Sequence, residues 1–427
     1  MKVAFCTLGC KVNQYESQSM EQALIKRGFE CVGASEEADV YIVNSCTVTA
    51  ESDRKTRQNV RHLRKLHPDA VIVLTGCMPQ AFPKDARLLT QADIVTGNRS
   101  NKQIPDMIDE FFRTRERIVR IAQHENGEKF SGELINDFRE RTRATVKIED
   151  GCNRFCSYCV IPYARGRVRS KPLEDIREEI SSLEKKGFSE IILVGINLSA
   201  YGTDCGASIC DAVELAASFD GIKRVRLGSL EPDHMTPDVT KRLAECKKLC
   251  PQFHISLQSG CDKTLKRMNR HYTAAEYEEL CTRLRSEFED ATLTTDVMVG
   301  FSGETKEDFE ISRDFVKKIG FEKVHVFPYS RRAGTRAAEF PDVVENAEKE
   351  RRSREMIAAA GEVRHEFLER QIGRTVEVLF EEKLRDGSIQ GYTANYTPVR
   401  IKSGCTHGLR KVKITACGDD WCEGELI

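Results

Sequence analysis

Cys152, Cys156 and Cys159 form a CxxxCxxC pattern within the stretch GCNRFCSYC. Three thiolates on so short a loop can hold three corners of a 4Fe-4S cube, which leaves the fourth iron without a protein ligand. An open iron position is a place for chemistry. A structural zinc site needs a fourth ligand to close its tetrahedron, and no His or further Cys follows at a local spacing that would supply it. The alternatives are a reduced, half-buried group of cysteines or a zinc site completed from a distant part of the chain.

A second set lies upstream. The apolar runs at 3–9, 40–46 and 70–77 read as buried parallel strands, separated by amphipathic helical stretches at 14–27 and 50–66, with a fourth short strand near 93–98. This is the pattern of a small doubly wound α/β domain, assigned to 1–125. Cys10, Cys46 and Cys77 each fall at the carboxyl end of one of the first three strands, the edge where open α/β sheets gather ligands. Gly9 and Gly76 directly precede two of them and would let backbone approach a bulky inorganic group. Any one of these cysteines reads as core. The same position on three successive strands points to a second metal site, again with one place open.

Elements must carry these residues, and the chain has length for several domains. It has 427 residues, 40% of them apolar and 31% charged, a globular composition without low-complexity segments. No run approaches the ~18 apolar residues of a membrane span, and the N-terminus lacks a long apolar leader. The expectation is a cytoplasmic protein without a membrane partner, whose 17 cysteines are kept reduced and used in part for metal. A net charge of -1 means that any polyanion must be met by local patches.

From about 140 the rhythm becomes strand and helix in alternation. Strands are expected at ATVKIED, 190–197, 224–232, 253–260, 292–301 and 323–330, with helices at 173–186, 236–249, 274–287 and 305–318. Six such units make a partial parallel barrel, with the CxxxCxxC loop on its catalytic face after the first strand. The charged stretch 342–372 reads as a solvated helical spacer. Beyond Gly373 the alternation of apolar and polar residues, bounded by DGS and GCTHG turns, predicts a small antiparallel barrel.

Ordinary acid-base machinery is not apparent. The histidines are scattered without the spacing of a ligand pair or triad, so each reads as surface or satisfied core. Basic residues gather instead: Arg139, Arg141, Arg143, Lys147, Arg154, Arg165, Arg167, Arg169 and Lys171 around the cysteine loop, a run in the helix 51–66, and RRAGTR at 331–336. Their convergence on one face predicts contact with RNA phosphates. Tyr392, Tyr396 and Trp421 are candidates for base stacking.

The cysteine loop and the run VIPYARGRVRS behind it resemble the signature of the radical S-adenosylmethionine (SAM) methylthiotransferases, which carry IPYxRGxxRS there. TLGCKVNQYES, VNSCTVTAES and LTGCMPQ are similar to three blocks of that family's N-terminal domain, and the C-terminal stretch resembles its TRAM module, an RNA-binding barrel. The resemblance implies two 4Fe-4S clusters, one on Cys152, Cys156 and Cys159 where SAM is cleaved to a 5'-deoxyadenosyl radical, and an auxiliary one on Cys10, Cys46 and Cys77. Polar strand ends at Gly195, Asn197, Glu231, Gln258 and Asp296 are, by the same likeness, candidates for contact with SAM. The implied units are 1–125, a radical SAM core with its connector helix at 138–370, and the TRAM-like module at 371–427.

The implied reaction places a methylthio group on tRNA, through its anticodon stem-loop, with electrons from a donor such as a flavodoxin and with no DNA partner. TLGCKVNQYES is most similar to the branch acting on threonylcarbamoyladenosine next to the anticodon. Sister branches act on isopentenyladenosine or on a ribosomal-protein aspartate. An alternative of another class is a non-enzymatic iron-sulfur protein that binds RNA.

Overall fold

VYIVNS and VIVLTG are buried at every position, as central parallel strands covered on both faces must be. In the computed structural model, which describes residues 1–132, 134, 135, 142–402 and 408–427, they lie mid-sheet. Residue 138, where the central unit was expected to begin, Arg139, Glu140, Arg141 and positions 404–407 of the GCTHG turn lie outside the described residues. The N-terminal strands are β1 (Lys2–Thr7), β2 (Glu30–Val32), β3 (Val40–Ser45), β4 (Val71–Gly76), β5 (Ile94–Thr96) and β6 (Ile118–Arg120), all parallel, in the order β2-β1-β3-β4-β5-β6. The order reverses between β1 and β3. Loops leaving those two strands therefore diverge and open a crevice at the carboxyl edge.

The central unit contains β7 (Arg143–Lys147), the short pair β8 (Glu149–Asp150) and β9 (Arg169–Ser170), and then β10 (Glu190–Val194), β11 (Arg224–Leu227), β12 (Ser229–Leu230), β13 (Gln252–Ile255), β14 (Thr292–Val299) and β15 (Lys323–Pro328). Parallel pairing runs β7-β10-β11 and β12-β13-β14-β15. β11 and β12 are one run interrupted at Gly228. The expected strands are thus present in chain order, and β7 and β15 are left as edges. Helices between them start at designed caps: Thr273 with Glu276, and Thr305 with Asp308, each form a reciprocal capping box.

The stretch read as a solvated spacer is a packed helix, Asn346–Glu369. Its charges hide an inward stripe. Met356 joins the central core, Phe367 and Leu368 enter the core of the C-terminal module, and buried Arg352 pairs with Glu304 at 2.6 Å. The terminal module is a closed barrel of β16 (Thr375–Lys383), β17 (Ile389–Thr393), β18 (Pro398–Ile401), β19 (Gly408–Cys417) and β20 (Cys422–Leu426), ordered β16-β17-β18-β20-β19. It is not antiparallel throughout. A ring of five strands cannot alternate direction at every step, and the parallel pair falls between β18 and β20.

This barrel docks on the amino ends of the central strands. Arg224 and Arg226 donate to the carbonyls of Glu377 and Ala394 at 3.0 Å each, and Arg143 pairs with Glu381 at 2.6 Å. No helix among the described residues is long and apolar enough to cross a membrane.

Glu322, just ahead of β15, is buried, and this pushes its carboxyl up to about 7 against the opposing pull of Arg285 and the Leu293 N–H. A raised carboxyl binds more protons in the folded than in the unfolded chain, so its contribution to stability falls as pH rises from the unfolded value through the folded one. The full loss is about 3 kcal/mol. Glu322→Gln should therefore raise the apparent melting temperature near pH 8 more than near pH 5. An equal effect at both would contradict the assignment.

Candidate active site

The CxxxCxxC segment is tied off as a loop. β8 and β9 pair antiparallel at its neck, and the Cys152 N–H donates to the Gly166 carbonyl at 3.0 Å. Gly151 has φ +89, and a Cβ there would meet the Arg167 carbonyl at 1.9 Å, so the neck closes only over glycine. Ser157 anchors the far side, its N–H donating to Met268 O at 2.9 Å and its hydroxyl to Arg267 O at 2.8 Å.

The three thiols of this loop are electrostatic neighbours. Burial pushes Cys152 up to about 12, opposed by the Arg154 N–H and reinforced by Cys156, and it pushes Cys159 higher still. Such thiols ionise only beside a cation, which bound iron provides. Arg270, which sequence reading missed, donates from Nη1 to Cys156 Sγ at 3.2 Å. Its other arm is fixed by Glu231 at 2.5 Å and Ser256 O at 3.1 Å.

Cys10, Cys46 and Cys77 meet at the crevice of the N-terminal sheet. Gly9 has φ +107, and a Cβ there would stand 2.7 Å from Cys46 Cβ. Asn13 Oδ1 lies 3.9 Å from both Cys10 Sγ and Cys77 Sγ, while Asn13 Nδ2 donates to Leu8 O and Ser45 O and so ties the ends of β1 and β3. Burial pushes Cys77 up to about 12, with Arg165 pulling down and Cys46 and Cys10 pushing up. Among the described residues no three Cys, His or acidic side chains converge on the point a single ion would occupy. A cubane asks instead for one thiolate at each of three separated irons. Soft sulfur donors, N–H groups aimed at sulfur and a side-chain-free approach at Gly9 fit such a group at both places.

One side chain from the segment behind the CxxxCxxC loop reaches the other set. Arg165 ends the helix Ile161–Arg165 that follows Cys159, and it is fully buried. Its Nε donates to Cys77 Sγ at 3.2 Å, and its Nη2 donates to Asn13 Oδ1 at 2.6 Å and Glu16 Oε2 at 3.0 Å. Lys147 reaches Glu16 and Asp150 at 2.7 Å each, which completes a buried charge network between the N-terminal and central units. Arg165→Ala strands Glu16 with one cation and should cost about 3–5 kcal/mol, read as a lowered unfolding midpoint. A loss below about 1 kcal/mol would mean that the network is not what joins the two units.

The polar strand ends divide. Gly195 sits where a Cβ would meet Glu149 Oε2 at 2.5 Å, and the Asn197 N–H donates to that same oxygen at 2.7 Å. Glu149 Oε1 is buried without a partner among the described residues. Glu231 is engaged by Arg270. Gln258 has φ +67 and bridges to β14 through its backbone. Asp296 lies deeper on β14, with its Oδ2 3.3 Å from His254 Nε2. Gly195, Asp296 and Cys10 line one cavity of about 910 Å³, which extends to the terminal barrel. His254 on β13 and His325 on β15, read from sequence as unrelated, flank β14 in this cavity with their rings 5.9 Å apart.

The basic run around the loop is mostly spent internally. Lys147, Arg165, Arg169 and Lys171 are buried, and Glu16, far away in sequence, and the nearer Asp150 and Glu179 neutralise them. Arg154 pairs with Asp233, and Arg332 of RRAGTR with Asp53. Arg54, Lys55, Arg61, Lys65, Arg167 and Arg336 stay exposed. Tyr392 and Tyr396 stack on each other at 4.5 Å under Arg143, and Trp421 lies under Arg400 at 3.6 Å.

Residues 2–97 match the family described as Uncharacterized protein family UPF0004, and residues 146–316 match the Radical SAM superfamily. Over the whole chain and 96% of the relative, the sequence is 35% identical to the threonylcarbamoyladenosine tRNA methylthiotransferase MtaB of Bacillus subtilis. The chain belongs to the radical SAM methylthiotransferase family. This methylthiotransferase is also 36% identical to the MtaB of Aquifex aeolicus over 90% of its own length and 94% of the relative's. The tRNA-2-methylthio-N(6)-dimethylallyladenosine synthase of Pelotomaculum thermopropionicum matches it at 36% over 91% and 88%. Its fold is like that of the radical SAM methyltransferase TsrM from Kitasatospora setae, with a TM-score of 0.56 at 14% identity over 77% of this chain and 72% of that one.

Proposed function

We propose that this enzyme converts N6-threonylcarbamoyladenosine next to the anticodon of tRNA to its 2-methylthio derivative. The carrying observation is that there are two separate sets of three thiols at strand carboxyl ends, that Arg165, on the helix following one set, donates to Cys77 of the other, and that Cys10 borders one large cavity. When bound, the two 4Fe-4S clusters and SAM supply the radical that opens an aromatic C–H bond, and the sulfur and methyl group that replace the hydrogen. Cys152, Cys156 and Cys159 hold the cluster for SAM, with Arg270 and the Arg154 N–H directed at their sulfurs. Cys10, Cys46 and Cys77 hold the auxiliary one. Gly195, Asn197, Glu231 and Gln258 are the strand-end residues assigned to the surroundings of SAM, with Glu231 acting through Arg270, whereas Asp296 lies deeper, against His254.

The units are 1–125, a partial (β/α)6 barrel at 138–370 that includes the packed helix, and a TRAM-like module at 371–427. Exposed cations on the helix Ala50–Leu66 and at Arg167 and Arg336 meet the stem-loop phosphates. Among the described residues every cysteine is free, which suits a reducing cytoplasm and a low-potential donor such as a flavodoxin. Relatives named for the threonylcarbamoyl and the dimethylallyl substrates match at 35% and 36%, so the choice of arm must come from the site itself. Mass analysis of nucleosides from tRNA of a deletion strain tests the reading. Loss of the methylthio group from threonylcarbamoyladenosine is expected, and its persistence would overturn the proposal.

A further inference from the structure

Inward positions of a parallel barrel are normally filled by layers of branched apolar side chains. On β13, β14 and β15 they are polar instead: Gln252 and His254, Thr294 and Asp296, Lys323 and His325 all line the 910 Å³ cavity. Register brings them level, with Asp296 opposite His325 and His254 opposite Thr294. His254 is held from both sides, its Nδ1 2.9 Å from Thr294 Oγ1 and its Nε2 3.3 Å from Asp296 Oδ2. The His325 ring lies 5.9 Å from that of His254 and has no hydrogen-bond partner among the described residues.

The wall is therefore a row of hydrogen-bonding groups with capacity left over. The His325 ring is open to the cavity and keeps hydrogen-bonding capacity to offer, and partial desolvation by its neighbours lowers its proton affinity against the pull of Asp296. Phe327, further along the same strand, and Cys10 border the cavity, so a nucleoside base seated there has its substituent within reach of this wall. An apolar arm would strip water from these groups and give nothing back. An arm carrying a hydroxyl, amide N–H groups and a carboxylate would satisfy them, with Lys323 available to the negative charge.

We propose that His325, His254 and Asp296 form the subsite for the N6 substituent of the target adenosine and select an amino-acid arm over a prenyl arm. This rests on the substrate reading above. Sites built to hydrogen-bond a substrate reject analogues that lack the partner far more strongly than apolar pockets reject extra polar groups.

The test uses the full-length, iron-loaded enzyme with two anticodon stem-loops that differ only in carrying a threonylcarbamoyl or a dimethylallyl adenosine. For the parent enzyme, kcat/KM should favour the threonylcarbamoyl stem-loop. In His325→Leu that preference should fall at least about tenfold, while SAM affinity and RNA-independent SAM cleavage stay within about twofold. His325→Gln keeps one donor and one acceptor and should retain most of the preference, which separates recognition from a general defect. An unchanged preference in His325→Leu overturns the subsite, and so does loss of SAM affinity, which would place these groups at SAM instead. A parent enzyme that favours the dimethylallyl stem-loop overturns the substrate reading itself.

Discussion

Replacing Cys152, Cys156 and Cys159 together by Ala is expected to halve the iron bound after anaerobic reconstitution, from about eight to about four per chain, and to abolish 5'-deoxyadenosine formation. The loop should survive the change. Its neck is closed by the β8 and β9 pair and by the Cys152 N–H bond to Gly166, and its far side by Ser157, none of which uses a thiol. A folded but inert variant is therefore the expected product. Iron analysis and chromatography of the cleaved SAM check it, and a variant that still makes 5'-deoxyadenosine would place SAM cleavage elsewhere.

The companion variant, with Cys10, Cys46 and Cys77 replaced by Ala, should also lose half its iron yet continue to cleave SAM. No methylthio product should form, because the sulfur has nowhere to be held. Here the fold is more exposed to damage, since Arg165 loses the Cys77 acceptor inside a buried network. Glu16 and Asn13 still accept from it, and they keep the guanidinium partnered. Product analysis on the soluble protein separates the two roles. Loss of SAM cleavage in a folded variant would show that the two clusters do not work as separate sites.

The cysteine sets were legible because their signal is local: a tight spacing in one case, a repeated strand-end position in the other. The alternation of strands and helices was legible for the same reason, since VYIVNS and VIVLTG announce burial on both faces within six residues. Missed features depend on partners that the spacing along the chain does not reveal. The three-residue β2 and β6 carry too little pattern to be seen alone and exist because the strand beside each offers an open edge. Arg165 and Lys171 read as phosphate contacts because Glu16 lies 149 residues from the first and Glu179 on a separate helix from the second. His254 and His325 looked scattered because the register of three strands, invisible in composition, sets them side by side. The charged helix Asn346–Glu369 misled in the opposite direction, as its apolar inward stripe is sparse and its buried Arg352 depends on Glu304.

The most direct measurement is mass spectrometry of a threonylcarbamoyl-bearing anticodon stem-loop after incubation with the reconstituted, reduced protein and SAM. Gain of one methylthio group on the adenine base, absent with either triple cysteine variant, is the predicted result. An unmodified stem-loop from protein that carries both clusters and cleaves SAM would contradict it.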